Sequence, residues 1–152
     1  MKVKSDPRWD PASTPTFWIN HSSRLIMRHF EQRLRPLDFG MAYLPVVIAL
    51  KENGALLQKH LAEHAHVEQP TMAALLARME RDGLISREPH PGDRRASLIS
   101  LSAKAKARLP AAKERLGEVA KQATLGFSER ERATLIALLR RVVNNLDQTV
   151  ED

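Results

Sequence analysis

Val67 to Leu101, VEQPTMAALLARMERDGLISREPHPGDRRASLISL, reads as a short helix followed by two strands. Inside Pro70 to Asp82 the apolar residues Met72, Leu75, Leu76 and Met79 stand at i, i+3, i+4 and i+7, so one helical face is buried. The opposite face carries Thr71, Ala74, Arg78 and Arg81. Pro70 suits the first helical turn, where its missing N–H costs nothing, and Asp82-Gly83 supplies the left-handed stop. Beyond it, Leu84 to Arg87 and Ser97 to Leu101 have strand composition, and the Pro- and Gly-containing stretch Glu88 to Ala96 reverses the chain between them. The spacing predicts a helix followed by a hairpin with Asp93, Arg94 and Arg95 at its tip.

Working outward on the N-terminal side, Leu56 to Ala65 (LLQKHLAEHA) predicts a brief amphipathic helix only about four residues from the next one, the spacing of a helix-turn-helix. The intervening turn has no glycine, so His66 must itself adopt any left-handed conformation. Tyr43 to Lys51 is a largely apolar helix with Pro45 near its start and Asn53-Gly54 at its end. Thr16 to Leu34 forms a long first helix, with an imperfect stripe at Phe17, Trp18, Leu25, Ile26, Phe30 and Leu34, ended by Pro36. Residues 1–15 hold Pro7, Pro11 and Pro15 with little apolar surface, and read as a flexible arm or one that lies on a partner.

On the C-terminal side, Ser102 caps a helix running to about Thr124, with Pro110 as a kink or junction. Ser128 and Glu131 form a capping box that opens the last helix. Its stripe, Leu135, Leu138, Leu139, Val142, Val143, Leu146 and Val150, has no later element to cover it, so it is expected to pack against its own copy in a second subunit.

A chain of 152 residues with 43% hydrophobic residues buries one sizeable core. Its net charge of +6 favours a polyanionic partner. Placement sharpens this: Arg78, Arg81, Arg87, Arg94, Arg95, Lys104, Lys106 and Arg108 fall in the helix, the hairpin and just after them. Without cysteine there is no disulfide and no thiolate metal site. The N-terminus lacks the apolar run of a signal peptide and no stretch is long enough to span a membrane, so a cytoplasmic location away from membranes is expected.

This order of elements resembles the MarR family of bacterial transcription regulators, with features of its SlyA-like branch. The resemblance covers about Leu25 to Leu146 and is most specific at Gln69-Pro70-Thr71, Asp82-Gly83-Leu84-Ile85 and Asp93-Arg94-Arg95. It implies a mainly α fold with a small β-hairpin: a winged helix-turn-helix over residues 37–101, with dimerisation helices at 16–36 and 102–152. It also implies a homodimer on double-stranded DNA, each recognition helix in a major groove and each wing over a minor groove. Carried over by position, Pro70, Thr71 and their neighbours, Gln69 among them, open the recognition helix. Ala74 lies on the same face, and Arg78 on the helix and Arg87, Arg94 and Arg95 on the wing are expected to contact DNA by their charge and placement. Asp93 matches the carboxylate that steadies the wing arginine, and Arg95 the arginine that enters the groove, where a narrow A·T-rich stretch concentrates negative potential. The chain departs from many relatives at Ala74, where they carry arginine, and at Ala105, where they carry glycine; Ala74 offers base edges only a methyl contact. The dimer interface is expected at Leu135, Leu139, Val142, Val143 and Leu146. Trp18, His21 and Tyr43 are the candidate lining of a cleft for a small amphipathic or phenolic effector.

Two other functions fit parts of the sequence. A basic winged protein without a ligand serves as a low-specificity architectural DNA binder, separated from a regulator by the ratio of specific to non-specific affinity. His60, Glu63 and His64 match the H-x-x-E-H pattern of inverted zinc proteases, but on a helix of about ten residues and with no evident third ligand. No nucleophile set or phosphate-binding glycine loop marks another enzyme, and nothing calls for a cofactor.

Overall fold

The computed structural model describes residues 9–147. In chain order they form α1 (Pro15–Leu34), α2 (Leu44–Asn53), β1 (Leu56–Leu57), α3 (Gln58–Ala65), α4 (Gln69–Arg81), β2 (Ile85–His90), β3 (Asp93–Leu101), α5 (Ala103–Ala123) and α6 (Glu129–Asp147), with short 3-10 turns at Pro11–Ser13, Arg35–Leu37 and Met41–Tyr43. The chain is mainly helical with a small antiparallel sheet in the order β1, β3, β2.

The helix-turn-helix forms for the reasons legible in its residues. Met72, Leu75, Leu76 and Met79 are all buried, joined by Leu61 of α3, Val46, Val47 and Leu50 of α2, Leu84 just before β2, and Ile85, Ile99 and Leu101 of the sheet. His66 takes the left-handed conformation itself, at φ 53°. That turn is closed by Val67 N–H donating to Ala62 O at 3.1 Å. Gly83, at φ 75°, ends α4 and lets Leu84 N–H return to Met79 O at 2.9 Å.

Three boundaries differ from the sequence reading. Leu56 and Leu57 are not helical; they form β1, pairing with Ile99 and Leu98 of β3, because the third strand offers partners no local pattern reveals. The hairpin is longer than its side chains suggested: β2 runs on to His90 and β3 begins at Asp93, so only Pro91-Gly92 make the reversal. Its ladder is irregular at Pro89/His90, where the missing proline N–H falls on a strand with no neighbour on its outer side. Third, part of the N-terminal arm is structured: Asp10 caps the turn Pro11–Ser13, and the Trp18 indole donates to Ala12 O at 2.7 Å. Residues 1–8 of that arm and Val150 of the last stripe lie outside the described residues.

The chain divides into two compact units inside α5, after Gly117. Ala105 and Ala112 of α5 are buried in the core of the first unit. Ser102 sets the start of α5: its hydroxyl donates to Gly83 O at 2.6 Å and accepts from Ala105 N–H at 3.1 Å, locking the helix onto the end of the recognition segment. α5 continues through Pro110 as one helix. In the second unit the capping box of α6 is formed in full, with Ser128 N–H on Glu131 Oε2 at 2.8 Å and Glu131 N–H on Ser128 Oγ at 3.1 Å. None of the described α6 residues is buried.

Candidate nucleic-acid interface

Burial of one face of α4 turns the other outward. Gln69, Pro70, Thr71, Ala74 and Arg78 are all exposed along it, and the Gln69 carboxamide is held by Gln58 of α3 at 3.3 Å. Pro70 occupies the first turn, where its missing N–H removes one of the backbone donors that would otherwise lack a helical acceptor, and the remaining ones are available to an anion.

At the hairpin tip Asp93, Arg94 and Arg95 are exposed. Asp93 does not grip a guanidinium; its Oδ1 accepts from the Arg95 backbone N–H at 2.9 Å. The carboxylate therefore shapes the first residues of β3 and directs Arg95 through its backbone. On the other side of the turn, His90 Nδ1 accepts from Gly92 N–H at 3.0 Å. The tip is thus braced on both strands by side chains that bond the backbone two residues on.

Several basic residues of the sequence cluster are engaged within the protein. Arg87 is half-buried, with Nε donating to Glu80 Oε2 at 2.8 Å, which ties β2 to α4. Lys104 donates to Asp82 O at 2.8 Å, at the carbonyl end of α4. Arg108 donates to Leu37 O at 2.8 Å and to Asp38 Oδ2 at 3.1 Å, fastening α5 to the turn after α1. The cationic groups facing outward on α4 and the wing are Arg78, Arg94 and Arg95, with Arg81, also exposed, 3.6 Å from Asp82 Oδ1.

A cleft of about 640 Å³ opens beside this face, lined by Glu31 of α1, Arg35 in the turn after it, Phe39 and Tyr43 ahead of α2, Arg78 of α4, Asp82 at its end, and Lys104 of α5. Tyr43 Oη donates to Asp82 Oδ2 at 2.8 Å. Burial, then the hydrogen bond to Asp82 and its negative charge, raise the Tyr43 pKa above 10.0, against the opposing pull of Arg78 and Arg81. Trp18 and His21 do not join Tyr43: Trp18 bonds Ala12 O, and Phe17 packs edge-on to Trp18 and stacked with His21 near the start of α1. Asp82 escaped the sequence reading as a site residue because it looked only like a helix terminator. Its partner lies 39 positions away.

His60, Glu63 and His64 lie on α3, and among the described residues no group of three His, Cys, Asp or Glu side chains is placed to hold a metal ion. Among the same residues no helix is long and apolar enough to cross a membrane.

A buried-faced recognition helix, its support helix and a braced hairpin define a winged helix-turn-helix protein. The MarR family model matches residues 43–97. The HTH-type transcriptional repressor IacR of Pseudomonas putida is 24% identical over 151 residues, covering 95% of this chain and 90% of the relative. A mutant MarR from E. coli complexed with operator DNA superposes with a TM-score of 0.74 at 24% identity, covering 82% of this chain and 90% of the other. The transcriptional repressor CouR, bound to a 23-mer DNA duplex, gives a TM-score of 0.80 at 21% identity, covering 94% and 99%. Residues 43–97 thus match the MarR family, and the chain has the winged helix-turn-helix fold of that family's solved members.

Proposed function

We propose that the protein is a homodimeric transcriptional regulator, acting as a repressor, that binds an inverted repeat in double-stranded DNA. The observation that carries this reading is the outward row Gln69, Pro70, Thr71, Ala74 and Arg78 together with the braced Asp93-Arg94-Arg95 tip. The helix offers a polar and methyl-bearing edge to a major groove, and Arg94 and Arg95 offer guanidinium groups to the flanking minor groove. The repressors IacR and CouR and the operator complex of MarR support the same reading. Homodimer formation draws on the uncovered apolar stripe of α6, where Leu135, Leu139, Val143 and Leu146 are all exposed and Val142 is half-buried.

Modulation by a small amphipathic or phenolic ligand is assigned to the cleft at Tyr43. A ligand there touches Arg78 and Asp82 of the recognition segment and competes for the Tyr43 hydroxyl, so it has direct purchase on α4. The testing experiment selects genomic fragments with purified protein, then titrates the selected site and random duplex at two salt concentrations. A strong preference for an inverted repeat with half-site centres about 10 base pairs apart is expected. Equal affinity for both duplexes would leave an architectural DNA binder instead.

A further inference from the structure

A second crevice lies elsewhere in the first unit, where the last turn of α2, the end of β3 and the first half of α5 meet. It has a volume of about 550 Å³ and is lined by Leu50, Lys51, Gly54, Leu101, Lys106, Leu109, Pro110 and Lys113. That volume lies within the roughly 300–1,000 Å³ typical of small-molecule sites. Its chemistry is divided. Leu50, Leu101, Leu109 and Pro110 make an apolar floor, while every ionisable group in the lining is a lysine.

The lysines are not dispersed. Lys106 and Lys113 are seven residues apart on α5, two turns along one face, and Lys51 reaches the same crevice from α2. Lys51 and Lys113 line the crevice together, and the side-chain interaction with Lys113 and its like charge hold the Lys51 pKa below its ordinary value, with Glu52 opposing. Two ammonium groups sharing a site repel, and an anion between them converts that repulsion into two charge-assisted hydrogen bonds. An apolar floor beside a cationic rim selects a ligand with both parts.

We propose that this crevice binds a small amphipathic carboxylate, its apolar body on Leu50, Leu101, Leu109 and Pro110 and its carboxylate between Lys51 and Lys113 with Lys106 alongside. The site is separate from the cleft at Tyr43, with which it shares no lining residue. Its occupancy is defined without reference to DNA.

Calorimetric titration of the full chain tests it with octanoate as probe, octan-1-ol as the uncharged body and inorganic phosphate as the anion without a body. Octanoate is expected to saturate one site per chain, with both controls weaker by about tenfold or more. Lys51→Met with Lys113→Met should lower octanoate affinity by about tenfold or more while circular dichroism stays unchanged, because both side chains are exposed. Tyr43→Phe should leave octanoate affinity as it was. Phosphate binding as tightly as octanoate would overturn the proposal by reducing the crevice to an anion patch. So would octanol matching octanoate, full affinity in the double lysine variant, or a loss confined to Tyr43→Phe.

Discussion

Tyr43 and Asp82 are joined by a 2.8 Å hydrogen bond that links the residue in front of α2 to the residue that closes α4. Because the folded pKa of Tyr43 is raised, the stabilisation from its neutral phenol is fully present below the unfolded value and is lost as pH rises through the folded value. The loss is therefore alkaline, with no effect near neutrality. Tyr43 is the single tyrosine of the chain, so tyrosinate absorbance reads it alone. Its midpoint should lie above 10.0 and move part of the way back in Asp82→Asn, which removes the negative charge. A wild-type midpoint at the ordinary value would refute the linkage. Tyr43→Phe should cost about 0.5–1.5 kcal/mol in urea denaturation, the usual net worth of one hydrogen bond.

The junction between recognition helix, sheet and α5 rests on Gly83 and Ser102. A Cβ at Gly83 would meet Lys104 Cδ at 3.6 Å, an ordinary contact, so the cost of Gly83→Ala comes from φ 75°. We expect about 1–2 kcal/mol. Ser102→Ala removes both the cap on Ala105 N–H and the bond to Gly83 O, and should cost about 1–2 kcal/mol. Wild-type stability in either variant would show that the junction yields at no cost.

For DNA binding, Arg95→Ala should weaken specific and random duplex alike and lower the log–log salt slope by about 0.9 for the lost phosphate-side charge. Asp93→Ala should act in the same direction but less, since it releases the Arg95 N–H without removing the guanidinium. Arg87→Ala should change the slope little, because its guanidinium is already paired with Glu80 at 2.8 Å. Thr71→Ala should instead relax discrimination at one position per half-site by up to about 1–3 kcal/mol, at nearly constant slope. Arg95→Ala binding every duplex like wild type would remove the wing from the interface.

Leu139 and Val143 of α6 are 39% and 54% exposed within the chain. Glutamates in their place stay solvated in a lone chain but would be buried without partners in a dimer. Leu139→Glu with Val143→Glu should therefore sediment as folded monomers, keep its helical circular dichroism and lose affinity for an inverted repeat. An unchanged dimer in that variant would place the assembly surface elsewhere.

The recognition helix was legible in the sequence because burial follows a 3.6-residue period, and Met72, Leu75, Leu76 and Met79 keep it without interruption. Caps were legible for a similar reason: Ser102, Gly83 and the Ser128/Glu131 box act within a few residues of themselves, where chain connectivity sets the geometry. His66 in the left-handed region followed from there being no glycine in a turn of fixed length. What only the tertiary structure decided is non-local. β1 exists because β3 passes beside Leu56 and Leu57, and the hairpin extends to Asp93 because backbone groups pair whatever side chains they carry. Which arginines are spent on Glu80 or Asp38, and that Asp82 meets Tyr43, depends on elements brought together from 7 to 70 positions apart. Local patterns carry no information about those meetings, since hydrogen bonds and ion pairs form wherever folding delivers complementary groups to within about 3 Å.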